Sequence, residues 1–181
     1  MRNDIIPGMP NARLPLAHKA TAAPERLRQF CTFHIDMSHF GVDILDVQEV
    51  TVAPKPTKAH HAPRHVAGVV NIRGQIVLCL DLRSILGMPP AEPTADTRLI
   101  LFKRKVHENL GVLVDRVGDI VEVDGGAIES RHRPILAAGA EPEKTVASSE
   151  AVMGVCKLEG ALMLILDAAA LPRTVDAAFS E

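Results

Sequence analysis

Tryptophan and tyrosine are absent from this 181-residue chain, and aromatic residues make up only 3% of it. A surface that holds single-stranded nucleic acid needs aromatic platforms in a basic groove. The chain has 20 Lys and Arg against 22 Asp and Glu, a formal net charge of −2, so a general positive field is missing as well. A nucleic-acid-binding β-barrel is therefore the alternative reading, not the first. Cysteine is scarce: Cys31, Cys79 and Cys156 lie far apart in apolar stretches with no CxxC spacing. That excludes a disulfide framework and a metal knuckle, and reads as three small buried hydrophobes in a reducing compartment. No run approaches the ~18 apolar residues of a membrane span, and residues 1–29 lack the apolar core of a signal peptide. A soluble, cytoplasmic protein is expected.

Catalytic signatures are missing too. The chain contains no GxSxG, no phosphate-binding GxxxxGK[ST] loop and no HExxH. Gly68 and Gly74 bracket a run that continues as a strand, where a phosphate loop requires a helix N-terminus. His60, His61 and His65 sit in a Pro-flanked loop with no matching ligand spacing. No catalytic residue, metal or cofactor is therefore expected, and the chain reads as non-enzymatic.

What is present is β-strand patterning. Apolar residues are 47% of the chain, enough to build a core from Val, Ile, Leu and Ala. Residues 1–28 read as a flexible leader carrying Pro7, Pro10, Pro15 and Pro24, with a short helical turn at Glu25 to Arg28. From Phe30 the period becomes two. Cys31, Phe33 and Ile35 alternate with polar residues, Asp36 to Ser38 forms a turn, and Phe40, Val42 and Ile44 alternate again. Val47 to Val52 is extended. Val66 to Asp81 reads as two strands joined at Asn71 to Gly74, through a three-residue loop with a bulge at Gly74. Asp81 suits the N-cap of a short helix, Leu82 to Leu86, ended by Gly87. Arg98 to Lys105 and Leu110 to Val117 form another hairpin, and Asp119 to Val123 one more strand. Gly125 to Glu150 reads as a long polar loop. Val152 to Leu166 repeats strand–turn–strand, Asp167 caps a last short helix at Ala168 to Leu171, and residues 172–181 form a tail. Asp115 beside Arg116 reads as half of a surface ion pair.

The chain is also internally duplicated. Gly68 to Asp81 matches Gly154 to Asp167 without a gap, 86 residues on: both turn glycines, both capping aspartates and most apolar positions coincide. Phe40-Gly41-Val42-Asp43-Ile44 matches Leu110-Gly111-Val112-Leu113-Val114, 70 residues on, and the same offset pairs Val47 with Val117, Glu49 with Asp119 and Val50 with Ile120. The 16 extra residues of the second interval fall in the long loop. Each copy carries about five short strands, a number at which a twisted sheet can close. Ile76 to Leu80 and Leu162 to Leu166 are apolar on both faces, so both faces should meet protein. The expected fold is therefore mainly all-β: two packed five-stranded barrels with short helices, over residues 29–171, with a groove between them.

These residues resemble the CheW family. Gly68-Val69-Val70-Asn71-Ile72-Arg73-Gly74, leading to Leu80-Asp81-Leu82-Arg83, is similar to its G-V-x-N-L-R-G…D-L-R signature, with Ile72 in place of Leu. Phe40 to Ile44 with Val47-Gln48-Glu49-Val50 resembles its Y-x-x-x-I…V-Q-E-I segment, and Gly111 to Asp115 with Val117 its G-x-x-V-D-x-V segment. The resemblance runs from about Gln29 to Leu171. It implies two intertwined SH3-like barrels and a scaffold that bridges the cytoplasmic hairpin tip of chemoreceptors and the regulatory domain of the histidine kinase CheA, in arrays beneath the membrane. It also implies a receptor groove at Val47, Glu49, Val117 and Ile120, and coupling-sensitive positions at Gly68, Arg73 and Gly74. Arg131-His132-Arg133 and the Pro-rich 87–97 connection depart from the family pattern. Glu159 stands where Arg73 stands in the first copy, so the two turn tips differ in charge.

Overall fold

The computed structural model describes residues 27–130 and 150–173. The leader's first 26 residues, the Arg131 to Arg133 motif and residues 174–181 lie outside these. The chain runs β1 (Leu27–Ile35), β2 (Ser38–Asp43), β3 (Val47–Val52), β4 (Val66–Ile72), β5 (Gln75–Asp81), α1 (Leu82–Ile85), β6 (Arg98–Phe102), β7 (Leu110–Val114), β8 (Arg116–Asp124), β9 (Ile128–Ser130), β10 (Val152–Leu158) and β11 (Ala161–Leu166). The strands form a six-stranded sheet ordered β8-β1-β2-β11-β10-β9 and a five-stranded sheet ordered β3-β6-β7-β5-β4. The sixth strand is the three-residue β9, inside the segment read as loop.

Sheet order shows that the two copies are exchanged. Hairpin β1–β2 of the first copy joins β8 to β11 of the second, and hairpin β6–β7 of the second joins β3 to β5 of the first. Both exchanges use one register. Leu164 sits opposite Phe40 in the parallel pair of β11 and β2, and Leu78 opposite Leu110 in the parallel pair of β5 and β7. The links leaving the hairpins are short, residues 44–46 after β2 and Asp115 after β7, and each carries the chain straight into the other sheet.

Period-two alternation assigns each strand face. In the six-stranded sheet Phe30, Met163 and Ile165 turn into one barrel interior, closed by Val123 and Cys156. In the five-stranded sheet Val70, Val77, Cys79, Leu99 and Leu101 fill the other. The opposite faces meet each other. Cys31, Phe33, Ile35, Phe40, Val42 and Leu166 from one sheet pack with Leu80, Ile100, Phe102, Leu110, Val112 and Val114 from the other, in one buried cluster between the barrels. Phe33 and Phe40 stack there with centroids 5.4 Å apart. The two-faced strands thus have protein on both sides, except at Ile76 and Leu162, which are exposed near the strand starts.

Several local expectations change. Leu27 and Arg28 are strand, not a helical turn: Leu27 to Phe30 pair with Asp124 to Val121, and Arg28 bonds Asp43 at 2.8 Å. The β4–β5 loop has two residues, Arg73 and Gly74, because Ile72 pairs directly with Gln75. Both have positive φ, 50° and 86°, as a type I′ turn demands. The bulge lies at the far end of the hairpin, between Val66 and Gly68, and recurs between Val152 and Gly154. The β6 strand stops at Phe102, three residues early, and β8 starts at Arg116, three residues ahead of Asp119. Both caps form: Asp81 accepts from the N–H groups of Arg83 and Ser84, and Asp167 from that of Ala169.

Ile100 is fully buried in the inter-barrel cluster. Ile100→Ala is expected to cost about 2–5 kcal/mol in urea unfolding, with both barrels lost in one transition because they share that core.

Candidate functional site

The β4–β5 turn builds one end of the five-stranded barrel. The Asn71 side-chain oxygen accepts the Gly74 N–H at 2.8 Å, fixing the turn. From this tip Arg73 reaches back to β3, where its Nη1 donates to Glu49 Oε2 at 2.7 Å. The Arg73 side chain is 79% exposed and that of Glu49 24%. A bulge between Val47 and Glu49 orients the pair: Val47 sits opposite Phe102 and Glu49 opposite Leu101. Beside it lies a cleft of about 210 Å³, lined among others by Glu49, Arg73, Ile72, Phe102, Asn109 and Leu110.

The remaining expected groove residues fall elsewhere. Val47 is only 7% exposed and belongs to the inter-barrel core. Val117 sits opposite Phe33 and packs against the same core from the other copy. Ile120, opposite Cys31 on β8, is 59% exposed. None of these three lines the Glu49–Arg73 cleft. The structure therefore joins Glu49, Arg73 and Gly74 at one barrel end, places Val47 and Val117 at the seam, and leaves Ile120 on an outer strand.

Gly68 has a separate task. Its φ is +138°, and a Cβ there would lie 2.3 Å from the Thr57 carbonyl oxygen. Thr57 and Val69 exchange backbone hydrogen bonds of 2.8 and 2.9 Å. The missing side chain lets the loop after β3 fasten to β4. Gly74 also has positive φ but faces open space.

Sequence reasoning missed one contact. Asp115 pairs with Arg83 of α1, not with the adjacent Arg116. Arg83 Nε donates to Asp115 Oδ1 at 3.0 Å, Arg83 Nη2 to Oδ2, and the Asp36 N–H to Oδ2 at 2.7 Å. Arg83 Nη1 also donates to the Pro89 carbonyl at 3.1 Å. A fork-to-fork pair thus ties the end of one barrel to the β1–β2 turn of the other. The available signal was that Arg83 and Asp115 each lie in a motif segment. Burial pushes the Asp115 pKa up, but the hydrogen bonds from Arg83 and Asp36 and the Arg83 charge outweigh it, so the carboxyl ends below its ordinary value.

Nothing in the described residues favours bond-making chemistry. All three cysteines are buried, and burial pushes the Cys79 thiol up to about 11. Asp81 and Asp167 are engaged as caps. No group of three His, Cys, Asp or Glu could hold a metal among the described residues. His60, His61 and His65 are thus not brought into such a group. No described helix is long and apolar enough to cross a membrane.

Two predictions follow from this geometry. Gly68→Ala should destabilise the fold by more than about 1 kcal/mol, because the loop must move as well as the backbone strain. Gly74→Ala should cost only about 1 kcal/mol, from φ alone. Thermal unfolding of the two variants checks the order. The second concerns His34 and His39, stacked at 4.6 Å across β1 and β2. Burial lowers both pKa values below 6.5, and for His34 the charges of His39 and Arg116 add to the effect. The unfolded chain therefore takes up protons first, and stability present above about pH 6.5 is lost as pH falls below it. Urea midpoints at about pH 7.5 and about pH 5.5 should differ less in His34→Gln than in the parent.

The comparisons agree with this architecture. The CheW-like domain model matches residues 29–175. A probable chemotaxis protein CheW of Rhizobium etli is 38% identical over 104 residues, 56% of this chain and 65% of that protein. The match thus spans just under two thirds of that relative's length. The chemotaxis protein CheW of Bacillus subtilis is 27% identical over 151 residues, covering 83% of this chain and 90% of its own. The crystal structure of the scaffolding protein TtCheW from Thermoanaerobacter tengcongensis superposes with a TM-score of 0.66 at 24% identity, over 78% of this chain and 90% of that one. With duplicated barrels, a shared seam and a family match over most of its length, this chain belongs to the CheW-like domain family.

Proposed function

We propose that the chain is a non-enzymatic chemotaxis adaptor that couples the cytoplasmic hairpin tip of chemoreceptors to the regulatory domain of a CheA-like histidine kinase. It would work in the cytoplasm, joined to membrane receptor arrays through these partners. The observation that carries the reading is the Arg73–Glu49 pair at a barrel end, in a chain whose relatives bear the chemotaxis name. Arg73 holds a left-handed backbone at a turn tip, a conformation that disfavours any residue but glycine and tends to be kept where a side chain has a task.

In this reading Glu49, Arg73 and the exposed Ile120 meet the receptor helices. Val47 and Val117 act from beneath by setting the shape of the seam. Gly68 and Gly74 hold the loop and the turn in place. A charge pair at one barrel end and a separate exposed apolar side chain offer helices two kinds of contact, and several weak contacts become firm when partners are arrayed.

Co-purification of the full chain with a chemoreceptor cytoplasmic fragment and the kinase regulatory domain tests this. Arg73→Glu and Ile120→Asp should each weaken receptor binding about ten-fold or more, roughly 1.4 kcal/mol, with little change in unfolding midpoint because both side chains are exposed. Val47→Asp is a poor probe, since a buried carboxylate there would disrupt the core. Unchanged binding of both partners by both variants would refute the assignment.

A further inference from the structure

The five-stranded barrel has a second cleft, at the end opposite Arg73. It encloses about 540 Å³ between the loop that follows β3, the start of β4, the ends of β5 and β7, and the Pro-rich connection after α1. Its walls are largely apolar, including Pro56, Pro63, Val66, Pro93 and Leu113. Besides Arg83, three cations line it: Lys55, Lys58 and Arg64. All three are exposed, and none forms an ion pair with a described residue.

The charge pattern is local and unusual for this chain. Between Glu49 and Asp81 there is no Asp or Glu at all, although acidic residues outnumber basic ones overall. The carboxylates at the inner wall offset the cations in part, leaving one net positive charge over the lining and the unpaired cations at the rim. Asp115 is committed to Arg83, and Asp81 accepts the first N–H groups of α1. Glu92 is the remaining acidic residue of the lining. The backbone that carries the cations is held, because its loop is fastened at Thr57 to Val69 and admitted by Gly68. Pro54, Pro56 and Pro63 stiffen it further.

We propose that this cleft docks an acidic stretch of polypeptide carrying short apolar side chains, at a surface separate from the Arg73 end. Its volume and its Pro, Val and Leu walls suit side chains of that kind. Unpaired rim cations give the approach and the register, since charges at a rim steer association. Proline-held walls lower the ordering cost of binding. Single-stranded nucleic acid fits less well, because no aromatic side chain lines the cleft for a base to stack on. A lipid surface fits less well because the site is concave.

The test uses the full chain, isotope-labelled for NMR, and the peptide Ac-EALEAVEALE-NH2, with its Glu→Gln twin and a labelled RNA oligonucleotide as competing probes. The acidic peptide should bind saturably, with shifts confined to residues 55–67, 91–97 and 113–115. The Gln twin and the RNA should bind at least about ten-fold more weakly, and raising salt from about 0.05 M to about 0.5 M should weaken the peptide as the screening length shrinks. The triple variant Lys55→Glu, Lys58→Glu, Arg64→Glu should lose binding about ten-fold or more with its unfolding midpoint kept, and Lys58→Glu alone should show part of that loss should the triple variant misfold. No saturable peptide binding, equal binding of the neutral twin, preference for RNA, or shifts centred on Glu49 and Arg73 would each overturn the proposal.

Discussion

The apolar seam between the two sheets is the constraint on which the rest of this molecule depends. Strands β5 and β11 are the central case. Each sends one set of side chains into its own barrel and the alternate set into the seam, so neither strand could be exposed on either face without leaving a row of Leu, Ile or Val in water. A barrel of this size has a marginal core by itself. Joined across Phe33, Phe40, Leu80, Ile100 and Phe102, the two become one folding unit.

The candidate site inherits its geometry from that seam. Val47 and Val117 occupy equivalent positions in the two copies, each opposite a phenylalanine that reaches into the shared core. A bulge follows each of them. It carries Glu49 toward the Arg73 turn in one copy and leaves Ile120 outward in the other. The same frame thus yields a charged barrel end on one side and an exposed apolar strand on the other. The Arg83–Asp115 clamp has no counterpart either, because Ala169 and Leu45 stand at the equivalent positions. Duplication supplied a symmetric scaffold, and single side chains made it directional.

Much of the fold was legible because it rests on local chemistry. Alternation at Cys31, Phe33 and Ile35 marks a strand wherever it lies, although Phe30 and Thr32 on its other face are buried too. Asp81 and Asp167 can each satisfy the first N–H groups of a helical turn without help from afar. The site was less legible. Glu49 and Arg73 were singled out separately, and nothing in their spacing of 24 residues says that a type I′ turn brings them within 2.7 Å. Asp115 was given its sequence neighbour as partner. Arg83, 32 residues away, wins because its planar fork meets both carboxylate oxygens.

The amino-acid sequence alone determined the strands, the caps, the two-fold repeat and the need for protein on both faces of β5 and β11. It could not say which hairpin belongs in which barrel. The two copies carry the same alternation and the same turn glycines, so a hairpin would find an equivalent register in its own copy or in the other. Only the tertiary structure decided for exchange. The one-residue and three-residue links that follow the hairpins carry the chain across the seam, and the strands beyond them complete the opposite sheet.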